Sequence, residues 1–261
     1  MRGLILILVL INIFLFWYIV SNFDNESFVA FLNVGQGSSV LIYHPRLKIL
    51  YDAGPYGLKT VREIQSLSKF YHRRIDLILI SHSDKDHYGG IFDLMERYQI
   101  GAIIISPYFS SDSGYLKFLQ LAKEKNIPLI TLKANDKIET PFEKIFILHP
   151  DRRYKNDNQN SLVIKVFKNN KNFLLTGDID QKIEKYLLSK YEKSIKADYL
   201  LIPHHGSKYS SDRFFLANFK RAVIQVGENR YGHPHYETIQ KLNILHIPYW
   251  RTDLNGTLVV R

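Results

Sequence analysis

The stretch Ser81-His82-Ser83-Asp84-Lys85-Asp86-His87-Tyr88-Gly89-Gly90 constrains this chain more than any other. Four possible metal ligands, His82, Asp84, Asp86 and His87, fall within six positions. They follow directly on the apolar run 76–80 and precede 91–98, whose pattern is helical. Such a stretch is a loop between a strand and a helix, and the carboxyl ends of strands are where open α/β sheets bind ligands. Imidazole and carboxylate are borderline-to-hard donors suited to zinc, manganese or iron. His82 and Asp84 alternate and can be aimed at one ion, while Asp86 and His87, displaced along the loop, can hold a second. A solvated polar loop is the competing reading. The density of ligands, with a double glycine behind them, speaks against it.

Other predicted strands end in the same way. Residues 48–52 read as a strand closed by Asp52-Ala53-Gly54, a carboxylate placed to orient a metal loop. The hairpin strands 162–167 and 172–176 run into Thr176-Gly177-Asp178, residues 198–203 into His204-His205-Gly206-Ser207, and 222–226 towards His233-Pro234-His235. Asp178 alone could equally be a helix N-cap, and His149, before Pro150, reads as a turn residue. Repeated across strand ends, the pattern implies one shared polar centre at one edge of the sheets. Between these points, apolar alternation gives a hairpin over 28–34 and 39–43, with Gly35 and Gly37 in its turn, and further strands at 102–105, 129–132 and 145–148. Helical spacing marks 57–71, 116–125, 179–191 and 236–242, and 247–250 and 256–260 close the chain as strands.

The 261 residues contain no cysteine, so every metal argument rests on His, Asp and Glu. The formal charge of +10 favours anionic partners such as nucleic acid, anionic lipid or wall polymers, although the lysines are dispersed rather than blocked together. Residues 3–20 are uncharged and have only Asn12 as a polar member, with Trp17 and Tyr18 where an interfacial belt would lie. With Arg2 ahead and Asp24 and Glu26 behind, this predicts an uncleaved anchor over 1–22 and an exported domain over 23–261. A signal peptide is the alternative, but no small-residue cleavage pattern follows the apolar run.

In order along the chain stand FLNVGQGSS, LYDAG, ISHSDKDHYGG, Asn160-Ser161-Leu162, LLTGD, IPHHGS, RYGHPH and Trp250-Arg251-Thr252-Asp253. Carrying these, the chain resembles the metallo-β-lactamase-fold domain of ComEC-type DNA-uptake (competence) proteins, as a free-standing, membrane-anchored relative without the many-helix channel. The resemblance implies an α/β fold, an αββα sandwich, with two divalent ions, zinc or manganese, at the sheet edges. It also implies phosphodiester hydrolysis of DNA by water activated between the ions. Under it His82 and Asp84 hold one ion, Asp86 and His87 the other, with Asp178 between them and His235 (or His233) completing the second. Asp86 is then essential to hydrolysis, and His204 or His205 protonates the leaving group. The family usually has aspartate at the positions of Asn33 and Ser38, and those carboxylates are missing here. The expected function is an extracytoplasmic nuclease or phosphodiesterase acting on DNA. A surface phosphodiesterase for wall or lipid headgroups and a non-catalytic DNA-binding module are the alternatives.

Overall fold

The computed structural model describes residues 2–22, 26–68 and 73–261. One sheet is built from β1 (Phe28–Phe31), β2 (Val40–His44), β3 (Leu47–Tyr51), β4 (Arg74–Ile80), β5 (Gln99–Ile105) and β6 (Leu129–Thr131), lying side by side in that order. The second follows with β7 (Lys137–Glu139), β8 (Lys144–His149), β9 (Val163–Lys168), β10 (Lys171–Leu175), β11 (Ala197–Leu201), β12 (Phe219–Ile224) and β13 (Tyr249–Arg251). The last strand, β14 (Leu258–Val260), crosses back to pair with β1. Each sheet begins with antiparallel hairpins and continues in parallel strands: β3 to β6 in the first, β10 to β13 in the second. The expected hairpin at 28–43 forms with Phe28 opposite Tyr43. The short edge strand β7, with two of its three residues exposed, carries no apolar signal and was not anticipated.

Three apolar layers hold the sandwich together. Alternate residues of β1, Val29 and Phe31, face the second sheet and pack with Ile49, Ile164, Phe173 and Val223. Phe28 and Ala30, on the opposite face, join α2 (Lys59–Leu67), α4 (Ile91–Arg97) and α5 (Ser113–Glu124) through Ile64, Leu94 and Phe118. The outer face of the second sheet packs Leu174 and Leu200 against Ile183 and Leu187 of α6 (Gln181–Tyr191), Phe215 of α7 (Arg213–Leu216) and Leu242 of α8 (Tyr236–Ile244). This period-two division of side chains between two faces makes the order helices, sheet, sheet, helices. Two short helices complete the set, α3 (Lys85–Tyr88) in the ligand-rich loop and α9 (Thr252–Asn255) before β14.

Residues 2–22 form one helix, α1 (Arg2–Asn22). Its side chains are described at 5 and 7–18, where all are exposed. Among the described residues no helix is long and apolar enough to cross a membrane. The ends of the expected span, 3–4, 6 and 19–20, lie outside the described side chains, as do 69–71 of the helix expected over 57–71.

Candidate metal centre

The parallel strands β3, β4, β10 and β11 all point their carboxyl ends to one edge, and the loops that follow them meet there. Asp52, directly after β3, is fully buried and organises the loop after β4. Its Oδ1 accepts from the Ser81 backbone N–H (2.7 Å) and its Oδ2 from Ser81 Oγ (2.9 Å) and His87 Nδ1 (2.7 Å). Two glycines allow this loop to sit close to its neighbours. A Cβ on Gly90 would stand 2.1 Å from the Ala53 carbonyl, and one on Gly37, whose φ is +145°, 2.4 Å from that of Asp86.

These bonds fix the imidazole protons. An ionised Asp52 can only accept, so His87 carries its proton on Nδ1 and leaves Nε2 a bare lone pair. Ser81 Oγ spends its own proton on Asp52 and so accepts from His82 Nδ1 (2.9 Å), which bares His82 Nε2. His205 Nδ1 lies 2.8 Å from the Gln225 carbonyl, again an acceptor only. The Nε2 atoms of His82, His87 and His205 are all buried and make no hydrogen bond.

They converge on Asp178. Its Oδ1 is 3.2 Å from His87 Nε2, and its Oδ2 3.8 Å from both His82 Nε2 and His205 Nε2. Asp84 Oδ2 lies 3.4 Å from His82 Nε2, and Asp86 Oδ2 3.2 Å from His205 Nε2. Two overlapping groups result, His82 with His87 and Asp178, and Asp86 with His87 and His205. Since His87 has one free nitrogen it can serve one ion only, whereas Asp178 has two oxygens and can serve both. Burial pushes the Asp178 carboxyl up, but the imidazoles of His87, His205 and His82 bring it well below the ordinary carboxylate value. Burial likewise disfavours charged His87, yet Asp178 and Asp52 raise it well above an ordinary imidazole. Orphaned imidazole nitrogens in a field that calls for positive charge fit a divalent cation.

The geometry places Asp178 within the cluster and His235 apart from it among the described contacts. The N-cap of α6 is Asp180, which accepts from the Lys182 and Ile183 N–H groups, so Asp178 is free to face the cluster. His235, expected as a ligand of the second ion, instead caps α8 by accepting from Glu237 N–H. Among the described contacts it reaches no member of the cluster, and His205 stands where it was expected. His233 lies nearer, its ring 5.4 Å from that of His204. His204 and His205, adjacent in sequence and both in the left-handed backbone region, diverge. His205 is buried in the cluster, while His204 is partly exposed with Nε2 3.7 Å from Asp178 Oδ2. His149 is buried elsewhere, its Nε2 2.7 Å from the Gln159 carbonyl, and this steadies the loop that borders the site.

That loop lines a cavity of about 330 Å³ with Asn158, Gln159, Asp178, Lys182, His204 and Tyr209. Ser161, behind it, donates to Asn158 O (2.7 Å) and accepts from Asp178 N–H (3.1 Å). Gln225 ties the two sheets together at this edge. Its side chain accepts from Ser38 Oγ and Ser39 N–H and donates to Leu32 O and Ser39 O. Ser38 thus occupies the family's aspartate position with a role of its own. Ser81 and Ser161 stand within motifs singled out in the sequence, but their bonding roles, like that of Gln225, come from long-range contacts that a common polar residue does not signal.

The sequence pattern of the Metallo-beta-lactamase superfamily matches residues 32–243. ComE operon protein 3 of Bacillus subtilis is 29% identical over 259 residues, covering 91% of this chain and 33% of that protein. Competence protein ComA of Neisseria gonorrhoeae is 31% identical over 238 residues, covering 90% and 32%. The chain therefore spans about a third of the length of these curated relatives. In fold it is similar to the metallo-beta-lactamase fold protein YhfI of Bacillus subtilis, with a TM-score of 0.58 at 11% identity over 90% of this chain and 100% of that one. With the pattern spanning most of both sheets and the whole of the candidate metal-ligand cluster, the chain belongs to the metallo-beta-lactamase superfamily.

Proposed function

We propose that this chain is a metal-dependent phosphodiesterase that cuts DNA, with its catalytic domain held at the outer face of a membrane by α1. The observation that carries the hydrolytic reading is the convergence of three buried, hydrogen-bond-free Nε2 atoms and Asp178 beside an open polar cavity. His82, His87, Asp178, Asp86 and His205, with Asp84 at the rim, would hold two divalent ions, zinc or manganese. When bound, such ions lower the pKa of water and neutralise charge on a phosphoryl group.

The remaining work falls to the chain. Asp52 and the Gln225 carbonyl accept from Nδ1 of His87 and His205, so in the neutral rings Nε2 is the lone pair that a cation would take in place of a second proton. His204 stands at the cavity wall within 3.7 Å of Asp178 and is not needed as a ligand. Burial lowers its pKa from the ordinary value, with Asp178 opposing. An imidazole in that position can give its proton to the departing oxygen. Lys182 adds positive charge to the cavity for the phosphate backbone.

DNA as substrate is supported by the +10 charge and by the competence relatives. Anchoring is supported by the amino-acid sequence of residues 3–20, which carries no charge. Its one polar residue in 3–20, Asn12, satisfies its amide on the Leu8 carbonyl within the helix. The test is incubation of the purified full chain with labelled single-stranded DNA, duplex DNA and a headgroup phosphodiester, each with manganese or zinc. Metal-dependent cutting of DNA is expected. Turnover of the headgroup diester alone would replace the nuclease with a surface esterase, and turnover of none would leave a binding module.

A further inference from the structure

We propose that Tyr209 and Tyr231, both close to His204, are base-stacking platforms which make the metal centre selective for a single polynucleotide strand with its bases splayed out. The proposal rests on the nuclease reading and names the features that would choose the substrate. Both rings are largely bare, 67% and 74% exposed. Tyr209 lines the cavity together with His204. The ring of His233 meets that of His204 edge-on, at 5.4 Å and 78°, and Tyr231 stacks on His233 at 5.7 Å and 29°. A base laid on the outer face of Tyr231 would therefore extend the Tyr231–His233 stack, whose inner ring touches the proton donor.

Exposed tyrosines are common, but these two are presented by pinned backbone. Asn229 Oδ1 accepts from the N–H groups of Tyr231 and His233, and its Nδ2 donates to Gly227 O and His233 O. The Tyr209 carbonyl accepts from Gln181 N–H, and its own N–H donates to Ser207 Oγ. An aromatic ring on a rigid loop loses little conformational freedom when it binds, so the contact is not offset by ordering. Positive charge accompanies the rings. Lys208 Nζ lies 5.0 Å from the centre of the Tyr209 ring, Lys182 lines the same cavity, and exposed Arg230 precedes Tyr231. Aromatic rings interleaved with a cationic track are how proteins hold single strands without reading sequence, because every base has a stacking face. In a duplex those faces are covered by neighbouring bases.

The test is fluorescence anisotropy of the full chain, metal-loaded and in detergent, with a nuclease-resistant phosphorothioate thymidine strand and an abasic strand of equal length and charge. Wild type should bind the thymidine strand more tightly. Tyr209→Ala and Tyr231→Ala should each weaken that binding by about 5- to 150-fold, leave abasic binding unchanged, and be rescued by Tyr→Phe at the same position. Equal affinity of wild type for the two strands, or alanine variants that bind thymidine as wild type does, would overturn the stacking proposal while DNA hydrolysis continued to support the nuclease. Equal losses on both strands would also overturn it. Failure to bind either strand, with no cutting of ordinary DNA, would remove both readings.

Discussion

The loop after β4 and the loop after β11 meet at the same edge and solve the same problem differently. The first brings His82, Asp84, Asp86 and His87 from one short run, and its imidazoles are oriented from within their own sheet by Asp52 and Ser81. The second has two histidines and commits only one. His205 turns in and is fixed by the Gln225 carbonyl of the neighbouring strand end, while His204 turns towards the cavity. Behind it Glu184 of α6 accepts from the N–H groups of Ser211 and Asp212 at 2.6 and 2.7 Å, which holds the chain as it leaves the loop. In the proposed function the dense loop would supply ligands, and the sparse one, held from outside, would divide its residues between ligation and proton transfer.

That division can be broken most sharply at the adjacent pair. His204→Ala should lower kcat by about 10²- to 10⁴-fold, the range of a lost general acid, with metal content unchanged. His205→Ala should lower metal content as well as activity. Elemental analysis beside steady-state kinetics checks this, and equal metal loss in both variants would contradict the division. A smaller effect is expected at the first loop's support. Asp52→Ala frees the His82 and His87 tautomers and should weaken metal affinity about 10- to 100-fold, as removal of a ligand's orienting partner does. Competition with a chelator measures it, and the corresponding change at Ser161 should be milder, because Ser161 bonds Asp178 through its backbone N–H and not its carboxylate. The smallest effect lies behind the second loop. Glu184→Gln sets an amide NH₂ against a backbone N–H in a buried site and should cost about 1–3 kcal/mol of stability, read as a shifted urea midpoint.

The same contrast explains what the sequence disclosed. Ligand density after a strand is a local pattern, so 81–90 was legible, and period-two alternation laid out most of the strands. Ring direction is not local. His205 is turned in by a bond to the Gln225 carbonyl, twenty residues on, and His235 accepts from Glu237 N–H in a cap on α8 that its spacing did not reveal. Asp178, expected between the ions, could by its local sequence equally cap α6, and Asp180 takes that place. The parallel design of the two sheets, hairpins first and parallel strands after, leaves no repeat in the amino acids. It is a likeness of strand order and direction, which many apolar sequences satisfy.

Metal stoichiometry tests the central claim most directly. Equilibrium dialysis of the full chain against manganese or zinc, followed by elemental analysis, should give two ions per chain for wild type. Asp178→Ala should lose both, because its carboxylate faces His82, His87 and His205 together. Wild-type chain that binds no ion, or Asp178→Ala that keeps two, would contradict the account.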